Sequence, residues 1–251
     1  MAVTGPLARC VKDLEIGLRA MSKENYDDPW WTPIPFSFPM PEKKVALLTK
    51  IEGLNIDPII INELKIVARK LEESGWVVEE PRAPNFQEAA NFQATLWLGE
   101  FRRTGGEAIS RENDPDANFI YSQMSKRCPD TSIEKFMDSL QHRGRISREW
   151  NKFFDKYPLI LCPITGDIPF PDLKDLESEE SFDLVFDSML PLIAPPYMGL
   201  PGLSFATSQT KQNIPLGVQF ISRKFREDLL LNVAYDLEKH YPKIKPVIPS
   251  F

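Results

Sequence analysis

Four kinds of residue in this 251-residue sequence have types and spacing from which chemistry could be built. The first is Ser204, in Gly202-Leu203-Ser204-Phe205-Ala206. That run mimics the Gly-x-Ser-x-Gly elbow, which presents a nucleophilic serine between a strand and a helix. Ala206 replaces the last glycine and the strand–elbow–helix context is missing, so the match is weak. The second is the histidine pair. His142 falls on a charged helical stretch beside Gln141 and Arg143, and His240 falls at the end of a helical pattern. Both read as surface residues without acidic or nucleophilic neighbours, and two histidines make no persuasive metal site. The third is the acidic series Asp167, Asp172, Asp175, Glu177, Glu179 and Glu180, which could attract a cation but reads as a solvated loop. The fourth is the set Cys10, Cys128 and Cys162, an odd number without metal-type spacing. These read as reduced thiols, which places the chain in the cytoplasm. Gly105-Gly106 is followed by Glu107 rather than by serines, and reads as a helix break. No metal or cofactor is implied.

Bulk properties narrow the classes further. The formal net charge of −6, with a pI near 5.2, and the lack of a basic stripe argue against nucleic acid as a partner. Hydrophobic residues at 42% and charged residues at 26% suit a globular protein. Arg9, Lys12, Asp13 and Glu15 precede any long apolar run, so no signal peptide is expected. The uncharged stretch Ser188–Thr210 is broken by Pro191, Pro195, Pro196, Pro201, Gly199 and Gly202, so no membrane-spanning helix is expected there.

The elements that must position any site follow from pattern. Lys44–Thr49, Trp76–Glu79, Leu159–Pro163, Leu203–Ala206 and Leu216–Ile221 read as strands. Gly217 inside the last run predicts a close backbone approach or a bulge. Asp57-Pro58 is a cap followed by proline, and starts a helix lined by Ile61, Leu64, Val67, Ala68 and Leu71 that ends at Gly75. Helical patterns also cover Val11–Met21, Phe86–Ser110, Ile133–Lys156 and Phe182–Leu192. Leu229, Leu230, Val233, Ala234 and Leu237 share one face of a closing helix with Glu227 and Asp228 at its start, and Pro242 follows it. Residues 111–131 read as a polar loop with a short helix, and Pro169–Glu180 as an acidic loop. Strand–helix–strand order predicts an α/β sheet. Ligands bind at strand ends in such sheets. The candidate substrate-binding residues are therefore Cys162, Ile164 and Thr165 after one strand, and Met198 and Leu200 before another, with plain connecting loops the equal alternative.

Several phrases in the chain go beyond pattern. Pro215-Leu216-Gly217-Val218-Gln219-Phe220-Ile221, then Phe225-Arg226-Glu227-Asp228-Leu229-Leu230-Leu231, resembles the C-terminal end of the amidase signature family. Those enzymes hydrolyse or transfer the C–N bond of carboxamides. Gly5-Pro6-Leu7-Ala8-Arg9, followed by Val11-Lys12-Asp13-Leu14, is similar to a mid-domain segment of the family, with Cys10 where serine is usual. Asp28-Pro29-Trp30-Trp31 resembles a connection in a bacterial branch. Leu159–Thr165 and Gly199–Phe205 resemble two further landmarks. Pro196, Ala206 and Ser222 depart from the usual Asn, Pro and Gly.

The resemblance implies a mixed β-sheet flanked by helices, with residues 1–251 forming the C-terminal portion of a single amidase-signature domain. It implies hydrolysis of small carboxamides by a Ser-Ser-Lys centre. In the family that centre precedes the Gly-Pro-Leu-Ala-Arg segment, so it is expected outside this chain, and no catalytic residue is assigned here. The chain alone is then expected to be inactive, and a separately encoded N-terminal half is a possible partner. The alternative is a catalytically inactive remnant or a non-enzymatic binding or scaffold protein.

Overall fold

The computed structural model describes residues 4–130 and 132–242. Thr131, which ends the polar stretch, lies outside the described residues. Among the described residues, five strands form one mixed sheet: β1 (Lys44–Leu47), β2 (Val77–Glu79), β3 (Leu159–Cys162), β4 (Gly202–Gln209) and β5 (Pro215–Ser222). Their order is β2-β1-β3-β5-β4. β1 runs parallel to β2 and β3, whereas β5 runs antiparallel to β3 and β4. The helices are α1 (Val11–Met21), α2 (Pro58–Glu73), α3 (Phe86–Thr104), α4 (Gly106–Glu112), α5 (Pro115–Arg127), α6 (Ile133–Lys156), α7 (Glu179–Ser188), α8 (Leu190–Met198) and α9 (Glu227–Glu238).

β1, β3 and β5 read as apolar runs because both of their faces are covered. Val45, Leu47, Leu159, Leu161, Val218 and Phe220 face a core shared with α2 and α9. Ala46, Ile160, Cys162 and Ile221 face a second core shared with α3, α6 and α8. Gly217 meets both expectations made for it. A Cβ there would lie 2.8 Å from the Phe205 carbonyl oxygen and 3.2 Å from Ile164 Cδ1, and the β4–β5 register shifts between Ala206 and Ser208 beside it. At α2 the Asp57 carboxylate accepts the Ile59 N–H at 2.7 Å, with Pro58 at the first turn. Cys10 gives α1 no side-chain cap. The Val11 N–H donates instead to Glu238 Oε1 of α9, at 2.8 Å.

The structure differs from the sequence reading in three places. The helical pattern read over Phe86–Ser110 is two separate helices, and the break falls at Gly105, where Gly105-Gly106 reads as one in the sequence. The stretch read over residues 111–131 as a polar loop with a short helix does hold a helix, α5, but that helix takes up 13 of its residues. Asp114 caps it by accepting the Ala117 N–H at 2.8 Å, and Pro115 opens it, the same signal as at Asp57-Pro58. The helix read as Phe182–Leu192 is α7 followed by α8, and α8 continues to Met198 through Pro195 and Pro196. A proline inside a helix removes the donor for the carbonyl four residues earlier. For Pro195 that carbonyl belongs to Pro191, and the Gln219 amide of β5 donates to it from outside the helix at 3.1 Å.

Candidate functional site

The site is built from the carboxyl ends of the parallel strands β1 and β3, where α/β sheets present their loops. Gly166 joins three segments there. Its carbonyl accepts the Asp57 N–H at 2.8 Å, and its own N–H donates to the Ser188 carbonyl at 2.8 Å. The approach to the β1–α2 connection is so close that a Cβ on Gly166 would lie 2.3 Å from the Asn55 carbonyl oxygen. The loop after β3, the start of α2 and the α7–α8 junction are thereby fixed to one another.

The predicted site residues divide between the two ends of the sheet. Cys162 closes β3 and is fully buried. Burial pushes its thiol up to about 12, against a weak opposing hydrogen bond from Gln219. It stays protonated at neutral pH and is no nucleophile. Ile164 and Thr165 follow it and are half-buried. Ile164 lies against Gly217, and the Thr165 hydroxyl donates to the Asp167 carbonyl at 2.8 Å. Met198 and Leu200 sit at the opposite end. Leu159 pairs with Ser222 and Gly202 with Ile221, so β4, on the far side of β5, begins level with the start of β3. Met198 is buried in the core shared with α3 and α6, and Leu200 packs against that core.

Ser204 is exposed on the edge strand β4, opposite Gln219. Among the described residues no base bonds its hydroxyl. His142 stacks on Phe92 with ring centroids 5.0 Å apart. His240 corrects the sequence reading, because it does have nucleophilic and acidic neighbours. Its Nε2 lies 2.8 Å from Ser74 Oγ, and its Nδ1 lies 3.5 Å from Glu73 Oε2. Those partners are 166 and 167 residues away, so no local signal announces them. The trio has the outline of a triad but no oxyanion site. The N–H groups of Ser74, Gly75, Trp76 and Val77 already donate to Leu71, Glu72, Leu71 and Lys43 carbonyls, and acyl transfer needs free donors there. Ser74 Oγ also bonds the Lys70 carbonyl at 3.0 Å. The trio fastens the end of α2 to the end of α9.

Among the described residues no group of three His, Cys, Asp or Glu side chains could hold a metal ion. Part of the acidic series is engaged by cations: Glu177 pairs with Lys174, and Glu179 with Lys126. None of the described helices is long and apolar enough to cross a membrane.

Beyond the strand ends, a cavity of ≈ 390 Å³ opens between α3, the end of α5, α7 and the start of α8. Ala90, Ala94 and Leu98 of α3 face Leu190 and Ile193 of α8 across it. Gln87 links it to the β1 end of the sheet, since its Oε1 lies 2.7 Å from where a Cβ on Gly53 would stand. Arg127 forms the outer wall, bonded to both Asp183 and Asp187 and lying 4.6 Å over the Phe186 ring. Sequence reasoning missed this cavity because its wall comes from five separate segments.

The family profile that describes amidases matches residues 1–231, so this chain belongs to the amidase family. It is 29% identical over 241 residues to an indoleacetamide hydrolase of Bradyrhizobium diazoefficiens, which covers 95% of this chain and 46% of that protein. It is 23% identical over 279 residues to a glutamyl-tRNA(Gln) amidotransferase subunit of Gloeothece citriformis, covering 98% and 57%. Its fold is similar to that of a 6-aminohexanoate cyclic dimer hydrolase, with a TM-score of 0.74 at 19% identity over 94% of this chain and 54% of that one. The chain spans about half the length of the curated relatives it matches.

Proposed function

We propose that this chain forms the C-terminal part of an enzyme that hydrolyses the C–N bond of small carboxamides. The nucleophilic serine, its partner serine and the lysine belong, in this reading, to residues outside the chain. The observation that carries the proposal is the amidase match over residues 1–231, in a chain spanning about half of its relatives. The fully bonded surroundings of Ser74 and the isolation of Ser204 support the same reading. In the reaction a serine oxygen attacks the amide carbon, the amine leaves protonated, and water releases the acyl group. Ile164 and Thr165 touch the substrate and Cys162 shapes the wall behind them, whereas Met198 and Leu200, at the far end of the sheet, belong to the supporting core. Three unpaired cysteines fit a reducing, cytoplasmic setting.

Complementation tests the proposal. The chain is produced alone and together with the N-terminal half of the Bradyrhizobium diazoefficiens hydrolase. Both samples are assayed on indoleacetamide and simple amides, and probed with a serine-directed fluorophosphonate. Turnover and labelling are expected only in the complemented sample, with the label on the added half. Turnover by the chain alone, lost on Ser204→Ala, would relocate the catalytic centre. Absence of turnover with every complementing half would favour a binding protein that reuses the fold.

A further inference from the structure

We infer that the cavity between α3 and α8 is a binding site for the uncharged organic group of a small amide. This rests on the amidase reading for the word amide, and on the cavity itself for the rest. Its ≈ 390 Å³ lies within the range of small-molecule sites, roughly 300–1,000 Å³. The space exists because Ala90 and Ala94, one turn apart on α3, face α8 with side chains too short to reach across.

Charge decides the ligand class. The wall carries two cations, Arg127 and Lys135, and two anions, Asp130 and Asp187. Arg127 is already engaged by Asp183 and Asp187, and Arg102 approaches Asp130 to 4.0 Å. A charged ligand would lose its hydration and find no net field in return. An uncharged one loses less and still finds polar handles. The Gln87 amide donates to Asn91 Oδ1 at 3.0 Å, which leaves the Asn91 NH2 as a donor at the rim. The Thr95 hydroxyl, which donates to the Asn91 carbonyl at 3.0 Å, and the Cys128 thiol 3.8 Å from it also line the wall, with an oxygen lone pair and a sulfur to offer. The chemistry fits a molecule with an apolar body and one hydrogen-bonding edge.

Cys128 makes the inference testable without turnover. Its alkylation is followed by peptide mass spectrometry with three reagents of similar size. These are N-phenylmaleimide, 4-maleimidobenzoate, and a phenylmaleimide bearing a trimethylammonium group. Rates are normalised to a small free thiol. The neutral reagent should modify Cys128 faster than either charged one by about tenfold, equivalent to about 1.4 kcal/mol. Filling the cavity with Ala94→Phe, or with Asn91→Phe on the exposed face of α3, should remove that preference. Cys10 serves as the partly exposed control. Cys162, fully buried, stays unmodified as long as a variant is folded. Equal normalised rates, a charged reagent reacting fastest, or a preference that survives in the folded filled variants would overturn the inference. A chain that never gains amidase activity but keeps the neutral preference would sink the proposed function and leave this site standing.

Discussion

Replacing Gly166 with alanine is the sharpest test of how the strand-end site is held. Gly166 does not have a left-handed backbone, so the substitution carries no conformational penalty of its own. The cost is steric. The new methyl would stand 2.3 Å from the Asn55 carbonyl oxygen and 2.7 Å from Leu54 Cδ1. The leucine can turn away, but the carbonyl is main chain and sits two residues before the Asp57 cap of α2. Relief therefore requires a shift of about 1 Å between the two segments, enough to stretch both 2.8 Å bonds of Gly166 beyond useful length. Overpacking costs about 1–3 kcal/mol, and each lost bond costs about 1 kcal/mol. The expected loss is about 3–5 kcal/mol, a large share of the 5–15 kcal/mol typical of a domain. Urea unfolding followed by tryptophan fluorescence measures it. Gly144→Ala, at an exposed position inside α6, is the control of opposite sign and should stabilise by about 0.5–1 kcal/mol. A Gly166→Ala variant within about 0.5 kcal/mol of the parent would refute the three-way junction.

Asp236 offers a pH signature. Burial opposes its ionisation, but hydrogen bonds from Lys239, Lys43 and the Trp76 indole prevail and hold its carboxyl at about 2. The stabilisation is present above the ordinary value of 3.8 and disappears as pH falls through about 2. Its ceiling is about 2 kcal/mol, and solvent around both lysines reduces it to about 1 kcal/mol. Asp236→Asn should lose that amount at pH 7, with the gap to the parent closing between pH 4 and pH 2 in denaturant titrations. Glu238→Ala should cost about 1 kcal/mol by uncapping α1. Cys10→Ser, which supplies a local cap, should restore most of that loss in the same melts. In a complemented enzyme, Thr165→Trp is expected to raise KM with little change in the melting curve. Loss of folding with KM intact would make that loop structural.

How much was legible depended on whether the relevant partners were near in sequence. β1, β3 and β5 announced themselves because burial on both faces forces continuous apolar runs. The α2 and α9 helices did so because caps and periodicity are local. α5 did not, since Gln123 is its buried residue and no apolar stripe marks it. Its Asp114-Pro115 start was readable all the same. The extension of α8 through two prolines was hidden because the side chain that makes it tolerable comes from β5. His240 was misjudged for the same reason. The two candidate loops looked equivalent in sequence, and only the antiparallel pairing of β4 with β5 sends Met198 and Leu200 to the far end of the sheet. The wall of the α3–α8 cavity is assembled from short pieces with no shared local signal, so no stretch of sequence predicts it.

The Gln219 amide completes a helix that cannot complete itself, and this constrains the order in which the two positions can change. While Pro195 remains, exchanging Gln219 for leucine removes the side-chain donor to the Pro191 carbonyl, a step that costs about 1–3 kcal/mol. Once Pro195 becomes a residue with an N–H, the helix supplies its own bond, and the glutamine is released from that duty. The path between the two states is therefore passable in one direction first. The proline thus acts as a pawl on the strand's glutamine, making its loss more costly for as long as the proline stays.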